Sequence, residues 1–213
     1  MAPFEPISDE KITEINKAQR ELFDSLYHLF EPPLPEGVPE RLEKIVAAGD
    51  ISQDDTVLDI GSGTGILIPI IEKYRPSHIY ACDLSEKMLV QLRKNYPYVK
   101  TFFADVRDLK LPQGNVDVAF LNACYPNIAD KVGAFTNISK MIKHEGRVVI
   151  SHPMGKKFIF FLKDRVSFPL DVFPDKRTAM ELFKPFGFEV GTFVDESELY
   201  ILVLKKAERD LSR

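Results

Sequence analysis

Residues 55–74, DTVLDIGSGTGILIPIIEKY, join an apolar β-branched run to an apolar periodic segment through three glycines in five positions. The pattern predicts a buried strand over TVLDI, a sharp turn, and a helix from Gly65 to Tyr74. Glycines in such a turn permit positive φ and remove the side chains that would keep a ligand from the backbone. One glycine would suffice for a tight turn, so three favour a ligand-binding loop over close helix packing alone.

The rest of the chain alternates between strand and helix patterns. Strand patterns occur at HIYACD, VKTFFAD, VDVAFLNA and GRVVISH, and helices are predicted after Ser85, over 129–143, over 155–166 and after Asp175. This alternation indicates right-handed crossovers and a parallel sheet that is covered on both faces. The last two strands, in FEVGTFVDESELYILVLKK, are too close in sequence for a crossover and must be antiparallel. The predicted fold class is therefore α/β, a doubly wound and mostly parallel seven-stranded sheet with a C-terminal antiparallel hairpin.

A helical segment precedes this sheet. Ser8 can cap a helix that opens with Asp9 and carries one apolar stripe, and the proline-rich EPPLPEGVP ends that helix. Pro39 suits the first turn of a second helix, and Gly49 suits its end. The segment is predicted to be an N-terminal helical extension of the sheet.

Length, charge and cysteine content exclude several classes of protein. The chain has 213 residues, which fit one sizeable domain, and its net charge of -4 disfavours nucleic acid as a partner. Cys82 and Cys124 cannot form a disulfide framework and indicate reduced thiols, so we expect a cytoplasmic protein. The N-terminal MAPFEPISDEK has no signal-peptide pattern, and no apolar run is long enough to span a membrane, so no membrane partner is expected. The oligomeric state stays open.

The spacing of the glycines separates two ligand classes. A dinucleotide fingerprint has the form G-x-G-x-x-G, but Ile66 occupies its last position here, which disfavours a nicotinamide dehydrogenase. The observed spacing is G-x-G-x-G, with Asp59 two residues before the first glycine. The stretch VLDIGSGTG resembles the first motif of class I S-adenosylmethionine-dependent methyltransferases. Two further stretches, YACDLSEKML and FADVRDL, match the later acidic motifs of that family through Asp83 and Asp105.

The resemblance covers about Val57 to Lys206 and implies S-adenosylmethionine as cofactor. It implies that Asp83 binds the ribose hydroxyls and that Asp105 lies near the adenine amine, although Asp83 can also serve a helix N-terminus and Asp108 can replace Asp105. It assigns residues 51–213 to the cofactor-binding domain and residues 1–50 to a helical extension or lid, within a single domain overall. The implied cofactor-binding residues are Asp59, Gly61, Ser62, Gly63, Gly65, Asp83, Leu84, Asp105, Val106 and Asn122.

Candidate catalytic residues follow the fourth and fifth strands. In NACYPN, Asn122 and Tyr125 have the spacing of the N-P-P-Y tetrad of amino methyltransferases, but the two prolines are absent. His152 follows the fifth strand and can serve as a general base near neutral pH. The alternative for each of these three residues is a loop side chain that only satisfies backbone groups. No metal site is expected.

Aromatic residues in the N-terminal helix and after the fifth strand serve either as core or as an apolar lid over an acceptor. We therefore predict an enzyme that transfers a methyl group from S-adenosylmethionine to a small organic acceptor by in-line displacement. Two alternatives are a protein methyltransferase and a non-catalytic S-adenosylmethionine-binding partner subunit.

Overall fold

The structure of the protein, a computed structural model, describes residue 4 and residues 6–30 and 32–207. Some sequence predictions include positions beyond these residues. They are the domain ranges 1–50 and 51–213, the assessment of MAPFEPISDEK and the proline-rich stretch. The parts of those predictions that fall on positions 1–3, 5, 31 and 208–213 lie outside the described residues. The division near residue 50 stays a prediction.

Within the described residues, seven strands form one sheet in the order β3-β2-β1-β4-β5-β7-β6. β1 to β5 run parallel, and β7 lies antiparallel between β5 and β6. The predicted fold class, with its C-terminal hairpin, is thus confirmed. The strands are β1 Thr56–Ile60, β2 His78–Asp83, β3 Lys100–Phe103, β4 Val116–Asn122, β5 Ile142–His152, β6 Phe188–Asp195 and β7 Tyr200–Lys206.

The helices begin at capping side chains that the sequence identifies. Ser8, Ser85 and Asp175 each accept a hydrogen bond from the backbone N–H three residues on, which satisfies a donor that the helix leaves free. In the described part of the chain, no helix has the length and apolar character needed to cross a membrane. The helices are α1 Asp9–Leu26, α2 Val38–Ala47, α3 Ile68–Ile71, α4 Glu86–Asn95, α5 Lys131–Met141, α6 Lys157–Lys163 and α7 Lys176–Phe183.

Three helices are shorter than the sequence patterns predict. The helix expected over Gly65 to Tyr74 is α helical only over Ile68–Ile71, followed by a 3₁₀ turn at Glu72–Tyr74. Gly65 has φ +90°, which excludes it from a right-handed helix. Gly155, with φ +67°, likewise delays the start of α6. The helix expected over 129–143 is Lys131–Met141, because the Asp130 side chain caps it by accepting from Gly133 N.

Helices cover both faces of the sheet. Alternate residues of a strand point to opposite faces, so Leu58 and Ile60 of β1 pack with α1, α5 and α7, whereas Val57 packs with α2 and α3. β1 and β4 are buried along nearly their whole length, as expected of central parallel strands. The core therefore lies in two layers, one on each face of the sheet.

The strand order reverses between β1 and β4. The chain passes from β1 outward to β2 and β3, then returns to place β4 on the other side of β1. In open α/β sheets this switch point leaves a crevice beyond the carboxyl ends of the strands. The loops that follow β1 and β4 flank that crevice.

Candidate functional site

A cavity of about 150 Å³ lies at the carboxyl ends of β1, β2, β3 and β4. The loops after these strands form its floor, and α1 and the turn after it contribute Asn16, Gln19, Phe23 and Phe30. Nine of the ten residues predicted to bind the cofactor line this cavity. They are Asp59, Gly61, Ser62, Gly63, Asp83, Leu84, Asp105, Val106 and Asn122.

The three glycines of the loop after β1 face different surroundings. A Cβ added at Gly63 would meet only Met88 Sδ, at 3.9 Å, so this position opens onto the cavity. A Cβ at Gly61 would lie 2.6 Å from Cys124 Cβ, in contact with the loop after β4. Gly65 does not line the cavity; a Cβ there would lie 3.0 Å from Leu92 of α4. Gly63 is thus the glycine whose missing side chain leaves room for a ligand.

The Asp83 carboxylate organises the glycine loop from the end of β2. Its Oδ2 accepts a hydrogen bond from Gly63 N at 2.8 Å, and its Oδ1 accepts from Ser85 N at 2.8 Å. Burial raises the pKa of Asp83, while the bonds from Ser85 and Gly63 oppose that rise. Asp83 therefore also has part of the alternative role suggested for it, because it binds the backbone of Ser85, the residue that caps α4. Each carboxylate oxygen keeps a lone pair for a ligand in the cavity.

Two buried polar atoms in the cavity wall have no hydrogen-bond partner among the described residues: Asp59 Oδ2 and Ser62 Oγ. Asp59 is 1% exposed, and burial, followed by the nearby Asp83 charge, raises its pKa to about 8. Buried polar groups are normally hydrogen-bonded, so these two atoms mark a place where a ligand with donor groups fits.

Asp105 and Val106 form the opposite end of the cavity, after β3. Asp105 accepts from Asn16 Nδ2 at 2.7 Å through Oδ2 and from Arg107 N at 3.0 Å through Oδ1. Asp108, the alternative candidate, has a side chain that is 71% exposed and does not line the cavity. The structure thus brings Asp105, and not Asp108, to the site.

The carboxyl end of β4 contributes one of the three predicted catalytic residues. Asn122 lines the cavity, and its Oδ1 accepts a hydrogen bond from Ser151 Oγ at 3.1 Å. This bond fixes the amide orientation and leaves the Nδ2 donor for the cavity. Ala123 follows with φ +55°, an uncommon value for a residue with a side chain, which turns the chain sharply at the cavity wall.

Tyr125 and His152, the other two predicted catalytic residues, do not line the cavity. Tyr125 is 2% exposed, and its ring stacks on that of Phe173 with centroids 5.6 Å apart. His152 is 4% exposed, and its Nδ1 accepts a hydrogen bond from Met154 N at 3.1 Å. The bond from Met154 N matches the alternative in which His152 is bonded to the neighbouring loop, whereas Tyr125 packs among aromatic rings. A catalytic role for either residue stays a prediction.

Acidification is expected to destabilise the protein through His152. Burial lowers its pKa to about 4, whereas the ordinary value is 6.5, so the unfolded chain binds the proton first. The stability that the neutral ring contributes is present above pH 6.5 and is lost as the pH falls through 4. This loss amounts to about 3 kcal/mol at pH 4.

Urea unfolding of wild type and His152→Asn between pH 7.5 and 4 measures this contribution. The asparagine can still accept from Met154 N but does not titrate, and the other ionisable groups cancel in the difference. Parallel stability curves for the two proteins would show that His152 titrates normally.

The two cysteines also line the cavity. Burial raises the pKa of Cys82 and of Cys124, so both thiols are neutral near pH 7. A neutral buried thiol is a small apolar side chain and a poor nucleophile. Both cysteines thus serve as parts of the wall.

Sequence reasoning missed Asn16 and Gln19. Gln19 is 1% exposed, and its Nε2 donates to Asn127 O at 2.6 Å, in the loop after β4. The signal was available, because Gln19 lies four residues after Ile15 on the apolar stripe of α1. A polar residue on such a stripe needs a partner, and here the partner is a site loop.

Comparison with known proteins agrees with this geometry. A family model described as a methyltransferase domain matches residues 58–150. An uncharacterised methyltransferase of Schizosaccharomyces pombe is 26% identical over 166 residues, which cover 75% of this chain and 64% of that protein. The chain spans less than two thirds of the length of the curated relatives that it matches.

Solved structures share the fold. The Burkholderia thailandensis 1,6-didemethyltoxoflavin-N1-methyltransferase, solved with 1,6-didemethyltoxoflavin and S-adenosylhomocysteine bound, has a TM-score of 0.71 at 16% identity, over 96% of this chain and 93% of that one. The magnesium protoporphyrin IX methyltransferase of Synechocystis has a TM-score of 0.70 at 15% identity, over 91% of this chain and 100% of that one. Residues 58–150 thus match a methyltransferase domain, and the chain shares the fold of solved methyltransferases, two of which hold S-adenosylhomocysteine.

Proposed function

We propose that the protein transfers a methyl group from S-adenosylmethionine to a small organic acceptor by in-line displacement. The observation that carries the proposal is the position of Gly63. Its absent side chain opens onto a cavity whose wall also presents Asp83 and Asp105. A loop without a side chain at that point, flanked by two hydrogen-bond-accepting carboxylates, fits an adenosine that offers ribose hydroxyls and an amine.

The cofactor-binding residues divide by chemistry. Asp83 would accept from the ribose hydroxyls, and Leu84 would lie against an adenine face. Asp105 would accept from the adenine amine, and the Val106 backbone amide would donate to a ring nitrogen. Asp59 Oδ2 and Ser62 Oγ, which lack partners among the described residues, would take the donor groups of the methionine part.

S-adenosylmethionine supplies an activated methyl group, so the chain's own residues have to orient the reactants and exclude water. Phe23 and Phe30 serve the second task, because their rings lie edge to face with centroids 6.0 Å apart and both line the cavity. Thr64 Oγ1 donates to Phe30 O at 3.0 Å, which ties the segment after α1 to the glycine loop. We propose that this N-terminal segment acts as the lid over the site.

The cavity favours an acceptor that needs no strong general base. Its titratable side chains, among the described residues that line it, are Asp59, Cys82, Asp83, Asp105 and Cys124. The two thiols are neutral, and in this proposal the three carboxylates bind the cofactor, so none of the five is assigned as a general base. A neutral amine or a thiolate can be methylated by positioning alone, whereas a hydroxyl would need a base.

A small acceptor is supported by the position of α1 over the site and by the solved structures that share the fold. The Burkholderia and Synechocystis proteins act, by their names, on toxoflavin and porphyrin compounds. The side chains of α1 that line the cavity leave little room for a folded protein as acceptor. The cytoplasmic location stays a prediction.

Replacing Asp83 by alanine tests the proposal. The variant loses the hydrogen bonds from the ribose hydroxyls. One such bond to a charged acceptor is worth about 1.5–3 kcal/mol, so S-adenosylmethionine should bind at least about tenfold to a hundredfold more weakly. Calorimetric titration measures the affinity, and thermal unfolding measures any loss from the bonds to Gly63 N and Ser85 N. The matched control is Asp108→Ala, an exposed carboxylate outside the cavity. Equal affinities of wild type and Asp83→Ala would contradict the assignment.

A further inference from the structure

Helix α1 contacts the segments after β2 and β3, which carry Leu84 and Asp105. Asn16 Nδ2 donates to Asp105 Oδ2 at 2.7 Å, Arg20 Nε donates to Leu84 O at 3.0 Å, and Ser85 Oγ donates to Asp24 Oδ1 at 2.5 Å. These three residues of α1 are spaced by four, so they lie on one face of the helix. Of the three, Asn16 also lines the cavity.

The bond between Asn16 and Asp105 fixes the chemistry of both side chains. A carboxylate only accepts hydrogen bonds, so the amide must present its nitrogen to Asp105. Among the described residues, Asn16 Oδ1 receives no hydrogen bond, and it remains an acceptor at the cavity end that Val106 also lines. Asp105 is held from its other side by Arg107 N at 3.0 Å. Two oriented acceptors therefore stand beside each other.

We propose, building on the proposed function, that Asn16 is a cofactor-binding residue that reads the adenine amine together with Asp105. An exocyclic amine has two hydrogens, one for Asp105 and one for Asn16 Oδ1. A purine with a carbonyl oxygen at the same position would face two acceptors and be repelled. Asn16 thus makes α1 a part of the adenine pocket and a determinant of base specificity.

Binding of two cofactor analogues tests this role. The probes are S-adenosylhomocysteine and S-inosylhomocysteine, which carries a carbonyl oxygen in place of the amine. Asn16→Ala should bind S-adenosylhomocysteine about tenfold more weakly and S-inosylhomocysteine no more weakly than wild type does, because one repelling acceptor is gone. The preference for adenine should therefore fall by about tenfold or more. Alanine favours the helix, so the variant should stay folded, which thermal unfolding checks.

Lys17→Ala is the matched control, because Lys17 is the next residue on α1, has a side chain that is 75% exposed and does not line the cavity. It should keep wild-type affinities for both probes. An Asn16→Ala variant with an unchanged ratio of the two affinities would overturn the inference, even if both affinities fell, since a purely structural tether affects both probes equally. A wild-type protein that binds neither probe would overturn the proposed function itself, and this inference with it.

Discussion

Gly63→Val is expected to abolish binding of S-adenosylmethionine, by about a thousandfold or more, while the sheet stays folded. The added side chain would project into open space beside Met88, which is the cavity itself. Gly63 also has φ +54°, a conformation that a β-branched residue disfavours. The loop would either keep its path and fill the cavity or change its path and withdraw Gly63 N from Asp83. Both outcomes remove the site.

Gly114→Val separates the two effects. Gly114 lies between β3 and β4, has φ +58° and would place its Cβ in open space, away from the cavity. This variant carries the same backbone strain and should lose stability without losing affinity. Calorimetric titration and circular dichroism of both variants measure the difference. A folded Gly63→Val protein with wild-type affinity would reduce Gly63 to a turn residue.

The sequence predicted the strands and the antiparallel hairpin because each has a local cause. Period-two and continuous apolar runs mark the strands, and short separations force the hairpin to be antiparallel. The carboxylates Asp59, Asp83 and Asp105 follow from the same logic, since each lies within two residues of the carboxyl end of a strand. Strand ends converge at one edge of a parallel sheet, and the structure places all three carboxylates around one cavity.

The glycine loop shows where local reasoning stops. Glycines at three alternate positions indicate a turn with little steric bulk. The residues that each glycine contacts, however, come from distant parts of the chain. Gly61 faces Cys124 after β4, and Gly65 faces Leu92 of α4. Only the assembled fold shows that Gly63 opens onto the cavity.

His152 was predicted to face the ligand because its strand ends at the right edge. Side chains on a strand alternate between faces, so arrival at the edge does not decide direction. In the structure the ring packs near Phe158 and Phe173, with centroids 5.4 Å and 5.9 Å away. Asn16 was missed for the converse reason: its partner, Asp105, lies 89 residues away, and no local pattern records such a contact.

Asp59→Asn is expected to make the ligand-free protein more stable at alkaline pH. Burial raises the pKa of Asp59 from 3.8 to about 8, so the folded protein holds this proton while the unfolded chain releases it. The stability that the protonated carboxyl contributes is complete below pH 3.8 and is lost as the pH rises through 8. For a shift of this size the loss is about 5 kcal/mol.

Asparagine keeps the shape of the side chain and does not titrate, so its advantage over wild type should grow by about 5 kcal/mol between pH 4 and pH 9. Urea unfolding of both proteins across that range measures it, with Asp108→Asn as an exposed control that should show no such trend. A cationic ligand favours the ionised carboxylate, so binding of S-adenosylmethionine to wild type at pH 7 should release a proton. Calorimetry in buffers of different ionisation enthalpy detects that release, and Asp59→Asn should lack it. Stability curves that stay parallel from pH 4 to pH 9 would show that the Asp59 carboxyl is already ionised in the folded protein.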